Sequence, residues 1–279
     1  MPGPVDWELA QRVATRIAER KQAAPSYHYG TLATDFERFT AEAEQLVADE
    51  TGLVSASGDA RARVADRSMW IGANIASFQR LLRPVIEKLE EKTSTKKSRL
   101  SGVTGRVGGM EVGILLGWMA SRVLGQYDLL IIEDERPEDQ DIVYYVGPNV
   151  MALEKKHGFP PEEFRLWLAL HEVTHRAQFT GVPWLREHFL GLVGQTLDSV
   201  DPDPKVLKEA VQRILDARKS GEDALADGGL PALFASPEQR QTLNQISGMM
   251  SLLEGHGDVT MDRAGADRIP SAQRFSDTL

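Results

Sequence analysis

Residues 171–175 read His-Glu-Val-Thr-His. On an α-helix, residues four apart lie about 40° round the axis and about 6 Å along it, so both imidazoles reach one cation only if the segment is helical. The run before it, Leu166-Trp167-Leu168-Ala169-Leu170, is strongly apolar and calls for a helix buried in a core. Zinc bonds imidazole nitrogen at about 2.0–2.1 Å, a distance two such side chains can share. Glu172 lies about 100° from His171 and about 60° from His175. That is too far round for an obvious third ligand, but it is within reach of a water on the metal, the place of a general base. A chain of this length shows H-E-x-x-H by accident about once in a hundred cases. The competing reading is a pair of core-edge histidines bonded to backbone.

A catalytic zinc site has three protein ligands and one open position. The block Leu253-Glu254-Gly255-His256-Gly257-Asp258 offers the third ligand. Glu254 and Asp258 share a helical face, so Glu254 can ligate while Asp258 accepts the free N–H of a ligand histidine. Gly255 and Gly257 weaken a helix and suggest that two backbones approach closely there. His256 competes for the ligand role. It lies about 200° round from Glu254, so a regular helix cannot aim both at one ion. Asp262 extends the Glu254 and Asp258 face by one turn. The competing reading is a frayed helix end with solvated acids.

Helical periodicity dominates elsewhere. It predicts helices over Val5–Arg20, Asp35–Asp49, Ala60–Leu89 (with Pro84 a place to kink), Gly109–Leu124, Pro160 to about Gly181, Trp184–Leu197, Asp201–Lys219 and Glu238–Asp262. Gly113 and Gly117, four apart, predict a second helix packed closely. Tyr127–Glu133 and Asp141–Val146 read as a β-hairpin, with Asn149 capping the helix after it. Residues 91–106 are polar and basic, a candidate loop that divides a possible N-terminal helical part, 1–95, from a metal-site part, 106–279. The tryptophans read as core anchors. The fold class is therefore mainly α with a small hairpin, in a single domain over 1–279.

There is no cysteine, which removes thiolate ligands, disulfides and a cysteine nucleophile. The net charge of −9 speaks against nucleic acid and anionic membrane as partners. The N-terminus lacks a basic-then-apolar leader, so a cytoplasmic location is expected.

FRLWLALHEVTHRAQF followed by PWLREHF resembles a largely actinobacterial family of zincin-like metallopeptidases, whose members are labelled hydrolases or associated with deazaflavin coenzyme biosynthesis. VDWELA, MWIGANIASF, VLGQYDLL, YYVGPNV and EGHGDVTMDRAG extend the resemblance over most of the chain. It implies a mainly helical zincin-like fold with zinc on the HEVTH helix. The Glu254 to Asp258 spacing also looks like the glutamate helix of thermolysin-type peptidases. Relatives in that family generally continue further past this block.

The expected chemistry is zinc-assisted attack of water on an amide carbonyl, with Glu172 as base and a peptide or small amide as substrate. His256, Tyr144 and Tyr145 are candidate donors to the oxyanion. The alternatives are a zinc-binding scaffold or partner-binding protein without peptidase activity, and an interaction domain without metal. Oligomeric state is not legible.

Overall fold

The computed structural model describes residues 5–19, 30–94, 101–129, 141–198 and 237–279. Helices α1 (Trp7–Glu19), α2 (Leu32–Thr51), α3 (Arg67–Ser94), α4 (Ser101–Ala120), α5 (Gly147–His157), α6 (Pro161–Gly181), α7 (Leu185–Asp198), α8 (Pro237–Ala264) and α9 (Ala272–Thr278) surround three strands. These are β1 (Arg61–Ala65), β2 (Gly125–Tyr127) and β3 (Ile142–Val146), in the order β1-β3-β2. No helix among the described residues is long and apolar enough to cross a membrane.

β3 is buried at every position, as a strand apolar on both faces requires. Its side chains alternate between two cores. Val143 and Tyr145 join Phe36 and Phe39 of α2 and Leu170 and Val173 of α6. Ile142, Tyr144 and Val146 join Ala14, Trp70, Ile75 and Leu116 on the other face. The sheet is thus a thin layer between two helical layers, and α6 lies on the first.

The expected hairpin is corrected in two ways. β2 starts and ends earlier, at Gly125 and Tyr127, and pairs antiparallel with β3, placing Gly125 opposite Tyr145. Residues 130–140 lie outside the described residues. A third strand, β1, pairs parallel to β3 with Arg61 opposite Ile142. The helix expected over Ala60–Leu89 does not run through this stretch. The helix starts only at Arg67, after Asp66 accepts the Met69 amide at 2.7 Å, an N-cap bond.

Other expectations also shift. α3 is unbroken through Pro84, and the stretch 91–106 is helical at both ends, with 95–100 outside the described residues. β1, which precedes that stretch, lies in one sheet with β3, which follows it. Asn149 does not cap α5. It is buried inside the helix, donates to the carbonyls of Ala120 and Val123, and accepts from Arg67 Nε at 2.8 Å. The predicted helix 201–219 lies outside the described residues. Trp70 is a core anchor, whereas Trp118 and Trp184 are exposed. The helix expected against Gly113 and Gly117 is α1: a Cβ on Gly113 would lie 2.6 Å from the Ala10 carbonyl oxygen and one on Gly117 2.8 Å from that of Ala14.

Two arginines fasten α6 to its neighbours. They are three helical turns apart and so share a face. Arg165 bonds the Glu154 carboxylate in fork geometry at 2.8 and 2.9 Å and reaches Asp35 at 2.5 Å. Arg176, 1% exposed, forks onto Asp141 at 3.0 and 2.6 Å and also donates to Glu44 and to the Gly58 carbonyl, both at 2.6 Å. Asp141 adopts φ 54°, a left-handed conformation that aspartate tolerates better than most residues. Arg176→Met would leave two carboxylates facing each other without their cation. The expected cost is about 3–5 kcal/mol, read by urea denaturation.

Candidate metal centre

α6 begins at Pro161 with Glu162 and Glu163 in its first turn, residues that suit the electropositive end of a helix. Its apolar face is buried against β3 and α2, which leaves His171 and His175 side by side at the rim of the core. Their rings meet edge to face with centroids 4.6 Å apart, and His171 stacks beside Trp167. α8 crosses α6 here and brings in Glu254, half-exposed, with Oε2 3.5 Å from His175 Nε2. One ligand atom from each of His171, His175 and Glu254 can be chosen so that all lie within 4.8 Å of one another.

The donor set fits zinc. Two ligand atoms at about 2.0–2.1 Å from a tetrahedral ion stand about 3.3 Å from each other, close to the His175–Glu254 separation. Burial, with a smaller contribution from His175, pushes His171 down to about 4 and so favours the neutral imidazole that a cation requires.

Glu172 is buried, and its surroundings come from β2. Asp128 donates to the Ile142 carbonyl and Leu124 accepts from Val146, so Gly125 and Tyr127 turn their backbone groups to the outer edge of the sheet. That edge faces α6. The Tyr127 amide donates to Glu172 Oε2 at 3.1 Å, and a Cβ on Gly125 would lie 2.5 Å from Glu172 Oε1. Burial pushes the Glu172 carboxyl up to about 8; the Tyr127 amide opposes the rise and the Glu254 charge adds to it.

The other proposed site residues separate. Asp258 and Asp262 are exposed, and among the described residues neither is hydrogen-bonded to a histidine. The partner of His175 Nδ1 is Gln178 Oε1, at 3.1 Å, and the amide nitrogen of Gln178 contacts His256 Nδ1 at 2.9 Å. His256 stands apart from the three-residue cluster. Tyr145 is fully buried, stacked on Phe36 with centroids 3.9 Å apart, and its hydroxyl bonds Thr40 at 2.7 Å. Tyr144 projects into the core on the other face of the sheet, away from α6. Neither tyrosine is brought to the cluster. The glycines of α8 do not mark a close backbone approach: Gly255 faces open space, and a Cβ on Gly257 would make only ordinary contact, 3.8 Å, with His175. Gly125, Tyr127 and Gln178 were missed. Only Gln178 carried a readable signal, an amide one turn after His175 on the same helix.

Residues 5–279 match the family described as zincin-like metallopeptidase, and the chain belongs to that family. A crystal structure from Chloroflexus aurantiacus, described as "a putative hydrolase with a novel fold", is similar at 30% identity and TM-score 0.70, over 98% of this chain and 74% of that one. Neither description mentions a deazaflavin coenzyme. None of the curated proteins matches the chain.

Glu254→Ala is expected to weaken zinc binding by more than the roughly 10–100-fold that follows loss of a group merely orienting a ligand, and His256→Ala by less than that range. Competition with a chromogenic chelator measures both. Gly125→Ala should push the Glu172 carboxylate off the Tyr127 amide while zinc uptake is retained. Faster hydrogen exchange at that amide reports the displacement.

Proposed function

We propose that the chain is a zinc-dependent hydrolase cleaving an amide bond, with His171, His175 and Glu254 holding the ion and Glu172 as general base. The observation that carries the reading is the placement of Glu172: a buried carboxyl, clamped by a strand amide, adjoining a His-His-Glu cluster. A site that only held metal for structure would have no use for it. Membership of the metallopeptidase family supports the same conclusion.

A zinc ion in this donor set supplies a Lewis acid for the carbonyl and lowers the pKa of a water toward about 7. The remaining roles fall to the chain itself. Tyr127 N–H holds Oε2 of Glu172, which leaves Oε1 to accept the proton of the attacking water and then deliver it to the leaving amine. A carboxyl raised to about 8 is a base matched to work near neutral pH. The substrate reading narrows as well. Strand addition along the outer edge of β2 is one mode by which a sheet takes up an extended peptide. The Tyr127 end of that edge is already engaged by Glu172, which favours a short peptide or small amide over a long β-strand. Both sides of residues 91–106 build the sheet that seats Glu172, so we treat 1–279 as one domain.

Glu172→Gln tests the mechanism. Zinc stoichiometry by elemental analysis should stay at the wild-type value, while hydrolysis of a fluorogenic peptide and anilide panel falls by about 10²–10⁴-fold. Unchanged turnover in that variant rejects Glu172 as base. Zinc-loaded wild type inert on every amide in the panel would instead favour a zinc-binding scaffold.

A further inference from the structure

We propose that Gln178 is a positioning residue that sorts two histidines into different roles by fixing their tautomers. His175 becomes a metal ligand through Nε2, and His256 becomes an N–H donor at the edge of the site. The inference rests on the zinc reading above but goes beyond it.

The amide nitrogen of Gln178 lies 2.9 Å from the Leu253 carbonyl oxygen. A carbonyl only accepts, so the Gln178 atom facing it must be the NH₂ group, and the orientation of the side-chain amide is settled. Oε1 is then the atom that faces His175 Nδ1 at 3.1 Å. An amide oxygen only accepts, so Nδ1 of His175 carries the proton. In the neutral ring Nε2 is left with a lone pair, and Nε2 is the atom beside Glu254 at 3.5 Å.

The second N–H of the same amide points at His256 Nδ1, 2.9 Å away. That nitrogen has to accept, so the neutral His256 ring bears its proton on Nε2. With Nδ1 engaged, the exposed His256 offers an N–H on its other side. It is thereby made a donor and not a ligand. Gln178 itself is 2% exposed, so a failed bond here would leave a buried polar group unsatisfied. One side chain of α6 also grips the α8 backbone at Leu253, the residue before Glu254. The same amide therefore sets the tautomer of one ligand and the approach of another.

The test uses the full-length protein without metal, by long-range ¹H–¹⁵N correlation at about pH 8, above the ordinary imidazole pKa. The expected spectrum assigns Nδ1–H to His175 and Nε2–H to His256. Nε2–H on His175 or Nδ1–H on His256 overturns the proposal, whatever the protein hydrolyses. Gln178→Met keeps the length and removes every hydrogen bond. It is expected to mix both tautomers and weaken zinc binding by about 10–100-fold in chelator competition. Gln178→Glu retains an acceptor for His175 but no donor for Leu253 or His256. It should restore the His175 tautomer and most of the zinc affinity while leaving His256 altered. A folded Gln178→Met protein with wild-type tautomers and wild-type zinc affinity also overturns the proposal. A metal-free tautomer result is independent of turnover, so it separates failure of this proposal from failure of the hydrolase reading.

Discussion

The fold of the site depends on the buried guanidinium of Arg176. It sits one residue after His175, yet turns away from the cluster into the body of the protein. There it binds Asp141 at the entrance to β3, Glu44 on α2 and the carbonyl of Gly58 ahead of β1. Asp141 in turn accepts a hydrogen bond from the Tyr127 side chain. Tyr127 then donates its backbone amide to Glu172. A closed circuit thus runs from α6 through Arg176 and Asp141 to β2 and back to α6. It fixes the rotation of the HEVTH helix and the height of the strand above it together. Such a buried ionic group is a weak source of net stability, because desolvation offsets most of the attraction. Its value here is registry: helix and strand cannot slide past each other without breaking fork-shaped bonds.

The cluster is then assembled from both sides of that registered helix. One side is the strand edge, where the absence of a side chain at Gly125 leaves room for the Glu172 carboxylate. The other is α8, held by Leu253 packed in an apolar cluster with Phe179 and by the Gln178 bond to the Leu253 carbonyl. Glu172 is buried among apolar surroundings while Glu254 is half-exposed. Two carboxylates close in space thus receive different solvent environments, and burial pushes the Glu172 carboxyl up.

The HEVTH helix, its burial and the Glu254 helix were readable because helical spacing alone fixes which side chains share a face. Pro161, Glu162 and Glu163 marked its start for the same local reason. β1 was unreadable as a strand: Arg61-Ala62-Arg63-Val64-Ala65 has little apolar alternation, and its place is dictated by the parallel ladder to β3, a contact across about eighty residues. Asp66, which stops that strand and starts α3, was the overlooked clue. Asn149 looked like a cap because asparagine favours caps, but its bonds to Arg67 of α3, to Ala120 at the end of α4 and to Val123 just beyond it outweigh that local preference. Spacing pointed to Asp258, but the acceptor beside His175 Nδ1 is Gln178 Oε1, three residues further along the same helix. Tyr144 and Tyr145 were attractive by chemistry alone, and the pleat of β3 sends one to each core.

The candidate cluster is discontinuous in sequence: His171 and His175 lie on α6 and Glu254 on α8. During synthesis at about 5–20 residues per second, several seconds to about sixteen pass between the appearance of the two histidines and that of the carboxylate. In that interval α6 can form and pack, but the nascent chain presents only a bidentate imidazole pair. On the proposed assignment, a complete set of three ligands is available only late in the life of the polypeptide, once α8 has emerged and docked.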